Sequence, residues 1–415
     1  MKPQHCQVAI IGAGPSGLAL ASELAKSAID VVVLERESAA GGIPRHCGHS
    51  PYGMHEFHRL MSGPAYAARL TREAAQQGAR IWLNTTVTEI EPGGKLLLST
   101  IDGIQELQAA RVVICTGNRE TPRAARLVSG TRPMGIVTTG ALQSMVYLKH
   151  RLPFKRPLLV GTELVSFSAL LTCRHAGLKP VAIIDGHSRV TAIKAAAWLP
   201  RLLGIPLLLN AELDEIRGGD RVESVVVSDA SGKLQNIDCD GVIFSGNFVA
   251  EASLVRSSHL EFDSRSGGPV VDQYGRCSDP VYFACGNLLH PVDTAGWCWA
   301  EGMRLARLVL ADLNAALPRT GRVLEIETAS PGIRYFTPQR ILLPDASPVE
   351  NHPGLQLRFA ENRRGRISWR GDKSIISSRS IRAQRERRIL LPLPPRDQLS
   401  ACTSLALEFR PDVED

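Results

Sequence analysis

The segment QVAIIGAGPSGLALASELAKSAIDVVVLERE, residues 7–37, decides the fold of this chain. Its apolar start runs into Gly12, Gly14 and Gly17, and a helix-periodic stretch then leads to a second apolar run that ends at Glu35. This order predicts a strand, a tight turn, a helix and a second strand. The first glycine permits the turn, the second lets the backbone approach a pyrophosphate, and the third allows close packing of helix and strand.

The ends of these elements predict a dinucleotide site. The start of the helix presents free N–H groups, which favour a phosphate group. Glu35 stands at about the twenty-residue spacing at which an acidic side chain accepts hydrogen bonds from a ribose. Strand, turn, helix, second strand and acidic residue occur together, so we favour dinucleotide binding over a chance glycine turn.

Composition limits the other classes of protein. A length of 415 residues predicts two or three domains, and 44% hydrophobic residues is ordinary for a globular protein. No apolar run approaches the ~20 residues of a membrane span, and the N-terminal apolar run is too short for a secretory signal, so we expect a cytoplasmic protein. The nine cysteines have no CxxC spacing, which fits a reducing compartment. The net charge of +7 comes without a basic stripe interleaved with aromatic residues, so we expect no nucleic-acid partner.

Two further motifs carry a resemblance to a known family. Residues 109–125, AARVVICTGNRETPRAA, and residues 279–313, DPVYFACGNLLHPVDTAGWCWAEGMRLARLVLADL, are each a buried-strand pattern that ends in a short glycine turn. With the first turn, these motifs resemble the two-dinucleotide-domain flavoproteins of the pyridine nucleotide-disulfide oxidoreductase superfamily. The resemblance covers roughly residues 5–315.

The resemblance implies one bound FAD. In the family the first turn and its acidic residue hold the ADP half, an ATG-like turn closes the first half of the domain, and a GD turn meets the ribityl chain. Asn287 replaces the aspartate of the GD turn, and it can still hydrogen-bond a ribityl hydroxyl without a negative charge. The helix after Thr294 would direct its N-terminal dipole at the flavin pyrimidine ring, where negative charge accumulates on reduction. The residues that we expect to contact FAD are Gly12, Gly14, Pro15, Ser16, Gly17, Glu35, Arg36, Gly42, Ile43, Arg45, Val87, Thr116, Gly117, Gly286, Asn287, Thr294 and Ala295.

A second strand-turn-helix unit stands where the family binds a nicotinamide nucleotide. Residues 156–185, RPLLVGTELVSFSALLTCRHAGLKPVAIID, keep the strand, the helix and a terminal Asp185. Of the glycine turn only Gly161 remains, because Thr162 and Glu163 follow it, and they would oppose a pyrophosphate in both shape and charge. NAD(P) binding is therefore doubtful, and we favour a unit that keeps the fold without the ligand.

The loop GGIPRHCGHSPYGMHEFHRL, residues 41–60, holds one cysteine and four histidines. Disulfide reductases of the superfamily carry two cysteines at this place, and a dithiol relay needs both, so Cys47 alone argues against that chemistry. The spacing of Cys47 and the histidines matches no known zinc pattern, and we expect no metal. Residues 53–61 predict a helix with His55 and His58 on its solvated face.

A narrower resemblance gives this loop a role. The loop, with GIVTTGALQ and LLVGTELVSFSALLTCRHAG downstream, is similar to the α-subunit-like flavoproteins of hydrogen cyanide synthase, opine oxidase, hydroxyproline dehydrogenase and anaerobic-type glycerol-3-phosphate dehydrogenase systems. This resemblance implies two partners, a small iron-sulfur protein and a second FAD-containing dehydrogenase subunit. It places Arg45, His46, Cys47 and His49 near the flavin ring, where His46 could shuttle a proton and Cys47 is the other candidate catalytic residue.

The pattern changes after residue 318 to short alternating strands broken by Pro, Gly and charge, which predicts a β domain of about a hundred residues. The arginines of residues 363–388 fit a solvated sheet face or a docking face for an acidic partner such as a ferredoxin-like protein.

The predicted architecture is α/β, with two Rossmann-like, FAD/NAD(P)-binding three-layer domains, the second inserted in the first, and a small all-β C-terminal domain. The predicted boundaries are 1–125 for the first part of the FAD domain, 126–245 for the inserted unit, 246–317 for the second part and 318–415 for the β domain. The predicted function is an FAD-dependent oxidoreductase, as the flavoprotein subunit of a multi-subunit dehydrogenase for a small amino or imino acid, an opine or a polyol phosphate. Electrons would pass to a partner subunit, an iron-sulfur protein or a quinone. The alternatives are a stand-alone NAD(P)H-oxidising flavoprotein and a subunit whose FAD is only structural.

Overall fold

The structure is a computed structural model that describes residues 4–192, 198–344, 354–372 and 374–412. The chain forms two compact units. The first unit comprises residues 1–42, 67–118 and 250–415, and the second unit comprises residues 43–66 and 119–249. The second unit is thus inserted in the first, as the order of the glycine turns predicts.

A seven-stranded sheet forms the centre of the first unit. Gln4–Ile11 pairs in parallel with Val31–Leu34 on one side and with Gly103–Ile114 on the other. Gly103–Ile114 is twelve residues long, so one end pairs antiparallel with Lys95–Thr100 and the other end pairs in parallel with Tyr282–Ala284. The spatial order is Arg80–Trp82, Val31–Leu34, Gln4–Ile11, Gly103–Ile114, Lys95–Thr100 and Thr86–Glu91, with Tyr282–Ala284 beside Gly103–Ile114.

Two helices of the first unit pack closely against each other, Pro15–Lys26 and Ala295–Leu313. Their contact depends on a glycine, because a side chain at Gly302 would strike the backbone of Ser16. This packing places the start of each helix beside the ends of the parallel strands. The remaining helical segments of this part of the chain are Gly63–Gln76, Pro92–Gly94, Ser253–Arg256, Gly286–Leu288 and Arg396–Ser400.

The second unit has three layers around a five-stranded parallel sheet. Alternate strand residues face two separate cores: Leu159 and Ile183 pack with the helix Leu164–His175, whereas Leu158 and Ile184 pack against an antiparallel sheet. The parallel strands, in spatial order, are Leu207–Leu209, Ala182–Asp185, Pro157–Val160, Gly241–Phe244 and Ile136–Thr138. The antiparallel layer consists of Leu234–Asp238, Ser224–Ser228 and Glu212–Arg217, with Ser129–Gly130 in parallel at its edge. Other helical segments are Ile43–His46, Arg123–Arg126, Thr139–Gln143, Ser144–Leu148 and Trp198–Leu202, and Asn118–Glu120 pairs with Phe248–Ala250.

The C-terminal region is a pair of β-sheets, as predicted, and it belongs to the first unit. Its core contains Phe359, Trp369 and Leu407, all with side chains at most 1% exposed. The larger sheet has the order Arg340–Leu343, Arg322–Glu327, Leu405–Pro411, Arg363–Gly371 and Ser374–Ala383, and the smaller has Ile333–Thr337, Leu355–Phe359 and Ile389–Leu391. Residues 345–353, 373 and 413–415 of the predicted domain lie outside the described residues.

Three features differ from the sequence-based expectations. Residues 43–66 belong to the second unit and not to the first part of the FAD domain, because Cys47 and His49 hydrogen-bond to Gln143 and Ser168. The helix predicted over residues 53–61 is a series of turns and bends, which Gly53 at φ +76° opens. The two units meet in sequence at 118/119 and 249/250, against predicted boundaries of 125/126 and 245/246.

No helix in the described stretches is long and apolar enough to cross a membrane.

Candidate functional site

The first glycine turn lies at the carboxyl end of the central parallel strands. Gly12 has φ +106°, and a Cβ there would lie 2.5 Å from the carbonyl oxygen of Cys115, so only glycine fits this position. A side chain at Gly17 would collide with the carbonyl oxygen of Gly12. A Cβ at Gly14, in contrast, meets nothing within 4 Å. The turn therefore leaves an open approach at its middle glycine, where the sequence predicts the pyrophosphate.

The helix that follows has an uncapped N-terminus. Gly14 is its N-cap and Pro15 its first residue, and no side chain caps the first turn. The N–H groups of Ser16 and Gly17 therefore have no partner within the helix, and the helix dipole adds a partial positive charge. An anion at the open turn would accept hydrogen bonds from these N–H groups and would be stabilised by the partial positive charge of the helix.

Glu35 directly follows the second strand, Val31–Leu34, and is 8% exposed. Its Oε2 accepts the N–H of Ala13 at 2.9 Å, and its Oε1 accepts the N–H of Glu37 at 2.9 Å. These two bonds fix the carboxylate beside the glycine turn, and each oxygen keeps a further lone pair for a ribose hydroxyl. Arg36 next to it is exposed.

Other predicted residues surround the same turn. Gly42 lies against Gly14, since a Cβ on Gly42 would be 2.9 Å from the Cα of Gly14. Thr116 Oγ1 donates to the carbonyl of Glu251 at 2.6 Å, which closes the ATG-like turn, and the space above Gly117 is open. Val87 is buried in the strand Thr86–Glu91.

Asn287 has hydrogen-bond partners within its own loop. Its Nδ2 donates to the carbonyl of Asp293, and its Oδ1 accepts the N–H of Asp293, both at 2.9 Å. The amide thus braces the loop that leads into the helix Ala295–Leu313, and only its second N–H and second lone pair remain for a ribityl hydroxyl. Thr294 caps that helix without a side-chain hydrogen bond, so the cap leaves the N–H groups of Ala295 and Gly296 for a ligand.

Two buried residues at this loop were missed by the sequence analysis. His290 is 3% exposed, its Nε2 lies 3.4 Å from Oε1 of Glu301, and its Nδ1 has no hydrogen-bond partner among the described residues. Glu301 also accepts the N–H of Gly286 at 2.9 Å. Burial favours the neutral acid, but His290, Arg304 and Gly286 outweigh it and lower the pKa of the Glu301 carboxyl. In the sequence, a histidine three residues after Asn287 could have indicated that His290 belongs to this site.

A pair of thiols was also missed. Cys115 and Cys285 follow adjacent parallel strands, and their sulfur atoms are 3.5 Å apart. The hydrogen bond to Cys115 and burial raise the pKa of the Cys285 thiol. All nine cysteines of the chain lie within the described residues, and each is free and buried. The two thiols therefore serve as small packed groups in this structure.

The glycine turn of the second unit is filled by its own side chains. Thr162 donates a hydrogen bond to Oδ2 of Asp185, and Oδ1 of Asp185 accepts from the His187 backbone at 2.9 Å and pairs with its ring at 2.6 Å. The Glu163 carboxylate covers the glycine surface, since a Cβ on Gly161 would lie 2.6 Å from Glu163 Oε2. The acid and the turn that stand where the family binds a nicotinamide nucleotide are both engaged within the chain, in line with the doubt about NAD(P) binding.

The loop with Cys47 lies in the second unit. The Cys47 side chain is 4% exposed, its sulfur donates to Oε1 of Gln143 at 3.2 Å, and burial raises its pKa to about 11. A thiol in this state is a weak nucleophile near neutral pH, so the geometry favours packing over the predicted catalytic role. His49 pairs with Ser168, and His55 and His58 are exposed as expected.

The structure thus groups most of the predicted cofactor residues at one edge of the first unit's sheet. Ile43 and Arg45, with His46 and Cys47, belong to the second unit instead, in and beside the turn Ile43–His46. No cluster of ligands suited to a metal ion occurs in the stretches that the structure describes.

Comparisons with known proteins place the chain among flavin enzymes. Residues 6–307 match the family model described as pyridine nucleotide-disulphide oxidoreductase. The A subunit of opine oxidase from Rhizobium meliloti (strain 1021) is 26% identical over 196 residues, which is 47% of this chain and 42% of the relative. Ferredoxin–NADP reductase of Salinispora arenicola (strain CNS-205) is 26% identical over 69% of this chain and 86% of the relative. The alpha subunit of sarcosine oxidase from Rhizobium meliloti (strain 1021) is 22% identical over 80% of this chain and 33% of the relative, so the chain spans less than half of either oxidase polypeptide.

Solved structures show the same fold. Thioredoxin reductase of T. acidophilum superposes with a TM-score of 0.63 at 24% identity, over 74% of this chain and 99% of that one. L-proline dehydrogenase from P. horikoshii superposes with a TM-score of 0.55 at 17% identity, over 76% of this chain and 57% of that one. These likenesses confirm the predicted FAD/NAD(P)-binding Rossmann-type architecture.

Proposed function

Because the chain belongs to the pyridine nucleotide-disulphide oxidoreductase family and is thus an FAD-dependent oxidoreductase, we propose that it is the flavoprotein subunit of a multi-subunit dehydrogenase. Its substrate class is a small amino or imino acid, an opine or a polyol phosphate. Its partners are a small iron-sulfur protein and a second FAD-containing dehydrogenase subunit, and electrons leave to one of these or to a quinone. The relatives from opine oxidase and sarcosine oxidase support this role, and nine free cysteines support a cytoplasmic location.

The first unit fits FAD. The open space at Gly14 and the uncapped helix after it suit a pyrophosphate, and the lone pairs of Glu35 suit a ribose. Further along the chain, the first turn after Thr294 offers free N–H groups, and the buried Nδ1 of His290 has no partner among the described residues. An unsatisfied polar atom at such depth is costly, so a cofactor with many hydrogen-bonding groups explains it.

When bound, FAD would supply hydride or electron acceptance. The residues of this chain would bind and orient it, and the N-terminal dipole of the helix Ala295–Leu313 would favour a reduced, negatively charged flavin. Glu301 and His290 hold the turn at Gly286 in place. The proton-shuttle role of His46 stays a proposal of its own, and we assign no thiolate chemistry to Cys47, because its pKa of about 11 keeps it protonated.

The observation that carries the subunit role is the filled turn of the second unit. A flavoprotein of this fold that oxidises NAD(P)H needs an open glycine turn, and for NADH also an acid that is free to bind the ribose. Here Glu163 covers the turn while Thr162 and His187 engage Asp185. We therefore infer that electrons come from a bound substrate or another subunit.

The rival candidate is a stand-alone NAD(P)H-oxidising flavoprotein. The match to ferredoxin–NADP reductase over 86% of that relative's length favours it. The two candidates differ in one simple measurement, the anaerobic visible spectrum of the purified protein before and after excess NADH or NADPH. A flavin that stays oxidised supports the subunit role, whereas bleaching within seconds supports the rival, and a protein that binds no FAD even on reconstitution contradicts both.

The C-terminal sheet offers a surface for an acidic partner. We define the arginine face as Arg364, Arg366, Arg382 and Arg410, which lie exposed on one side of the larger sheet. The register sets Arg364 opposite Arg382 and Arg366 opposite Arg410. Like charges directly opposite each other destabilise a sheet, and an anionic partner surface would offset that cost. The arginine face is therefore our candidate docking site for the partner subunit.

A further inference from the structure

We propose that the C-terminal β region positions the flavin-binding loop, with Asp293 as the positioning residue and Arg358 and Arg388 as its partners. The inference rests on the proposed FAD site. It assigns a cofactor role to a region that lies beyond the family match, which ends at residue 307.

The loop from Asn287 to Thr294 is the first element of this arrangement. It joins the GD-like turn to the helix Ala295–Leu313, so its shape decides where the free N–H groups of that helix point. The two hydrogen bonds between Asn287 and the backbone of Asp293 close the loop from within. The side chain of Asp293 takes no part in these two bonds and is left to pair elsewhere.

The pairing partners come from the C-terminal β region. Arg358 donates from its Nη2 to Oδ1 of Asp293, and their side chains are 3% and 8% exposed. Gln356, two residues earlier on the same strand, donates to Oδ2 of Asp293 at 3.1 Å. An ion pair this deeply buried is costly to break, because the charge left behind has no water to replace its partner. The strand Leu355–Phe359 therefore fixes the loop.

Arg388 makes a second contact with the same element. Its guanidinium carbon lies 3.4 Å from the ring centroid of Trp297, the third residue of the helix, and its Nη1 lies 3.9 Å from Oδ2 of Asp293. A guanidinium stacked on an indole is a favourable cation–π contact, and it is stronger where water is partly excluded. Arg388 is 19% exposed and so is shielded from most of the solvent without being fully enclosed.

The charges give the arrangement an electrostatic consequence. Asp293 carries one negative charge and the two arginines carry two positive charges, and Glu301 and Arg304, which also act on Arg388, add one charge of each sign, so the groups beside the helix start are net positive. A net positive charge there adds to the helix dipole and stabilises negative charge on a reduced flavin. Removing Arg388 should lower the reduction potential of the bound flavin, and removing the charge of Asp293 should raise it while loosening the loop.

The test uses the full-length protein with three single substitutions, Arg388→Gln, Asp293→Asn and Arg358→Met. The matched control is Arg379→Gln, which removes the same charge from an exposed position of the same β region outside the arginine face. For each protein we would measure FAD affinity of the apoprotein by flavin fluorescence, the reduction potential of the bound flavin, and thermal unfolding of the apoprotein.

We expect Asp293→Asn and Arg358→Met to weaken FAD binding by about tenfold or more, and Arg388→Gln to lower the reduction potential, while Arg379→Gln matches the wild type. If Arg358→Met fails to fold, the Arg388→Gln and Asp293→Asn variants still test the inference. Folded variants of both with wild-type FAD affinity and potential would overturn the inference. A wild-type protein that binds no FAD would instead overturn the proposed function, so the two failures are distinguishable.

Discussion

Thr162 donates a buried hydrogen bond to Asp185, and this bond occupies the acid that a nicotinamide nucleotide would need. We predict that the double substitution Thr162→Gly with Glu163→Ala creates measurable affinity for NADH, because it releases Oδ2 of Asp185 and uncovers Gly161. Isothermal titration of NADH into wild type and variant checks this. Asp214→Ala, which removes an exposed acid from the same unit, is the control and should leave NADH unbound. Equal affinity of wild type and double variant would contradict the prediction.

Gly14 is a position where a substitution should affect cofactor binding without affecting the fold. Its φ of −79° suits any residue, and a Cβ there meets nothing. Gly14→Ala should therefore leave the stability of the apoprotein nearly unchanged while it blocks the pyrophosphate and lowers FAD content at least tenfold.

Gly12→Ala is the matched contrast. The backbone at φ +106° and the nearby Cys115 carbonyl should cost about 1–3 kcal/mol of unfolding free energy. Thermal unfolding of the two apoproteins and FAD content after reconstitution check both variants. Retention of FAD by the Gly14→Ala variant would contradict the placement of the pyrophosphate at this turn.

Burial of the Cys47 thiol predicts a loss of stability in alkali. Its pKa rises from 9.0 unfolded to about 11 folded, so the folded state resists deprotonation. The stabilising contribution is complete below pH 9 and is lost as the pH rises through 11, with a slope of up to about 1 kcal/mol per pH unit. Urea unfolding at pH 8, 9 and 10 measures it, and Cys47→Ala should show a shallower decline. Indistinguishable slopes would mean that other groups dominate.

The buried thiols predict low reactivity. A thiol reagent such as dithionitrobenzoate at pH 8 should label the native protein slowly and should label all nine cysteines once the protein is unfolded. Rapid labelling of the native protein would show that at least one thiol is accessible.

The arginine face predicts a charge-dependent assembly. Arg364→Glu, Arg366→Glu and Arg382→Glu together should abolish co-purification with a co-expressed partner subunit. Thermal unfolding of the isolated chain should stay close to that of the wild type, since the substitution at position 366 places an opposite charge across from Arg410, whereas positions 364 and 382 keep like charges opposite each other. Arg151→Glu, Arg156→Glu and Arg174→Glu make the same charge change on exposed positions of the second unit and should keep assembly. Retained assembly in the first variant would remove the docking proposal.

Local patterns explain what the sequence could predict. The turn around Gly12 and the acid at Glu35 are close in the chain, so spacing alone predicts their geometry. The same holds for the broken turn at Thr162, whose residues are unsuited to a phosphate in any context. These features rest on backbone conformation and strand ends, which short motifs determine.

The features that could not be predicted are contacts between residues that lie far apart in the sequence. Neither the contact between Cys115 and Cys285 nor the pairing of Asp293 with Arg358 follows from spacing, because each joins segments that meet only in the folded chain. The helix predicted over residues 53–61 had the right apolar period, but Met54 and Leu60 are exposed and no core faces them. Tertiary contacts decide such cases.

The strand Gly103–Ile114 has a consequence for synthesis of the protein. Its end pairs with Tyr282–Ala284, which the ribosome adds some 170 residues later, after the whole of the second unit. Until then that edge of the sheet exposes unpaired N–H and C=O groups while the second unit is already free to fold. We therefore expect nascent chains that end before residue 282 to contain a folded second unit and an incomplete, aggregation-prone sheet. At this stage of synthesis the chain should depend most on a chaperone.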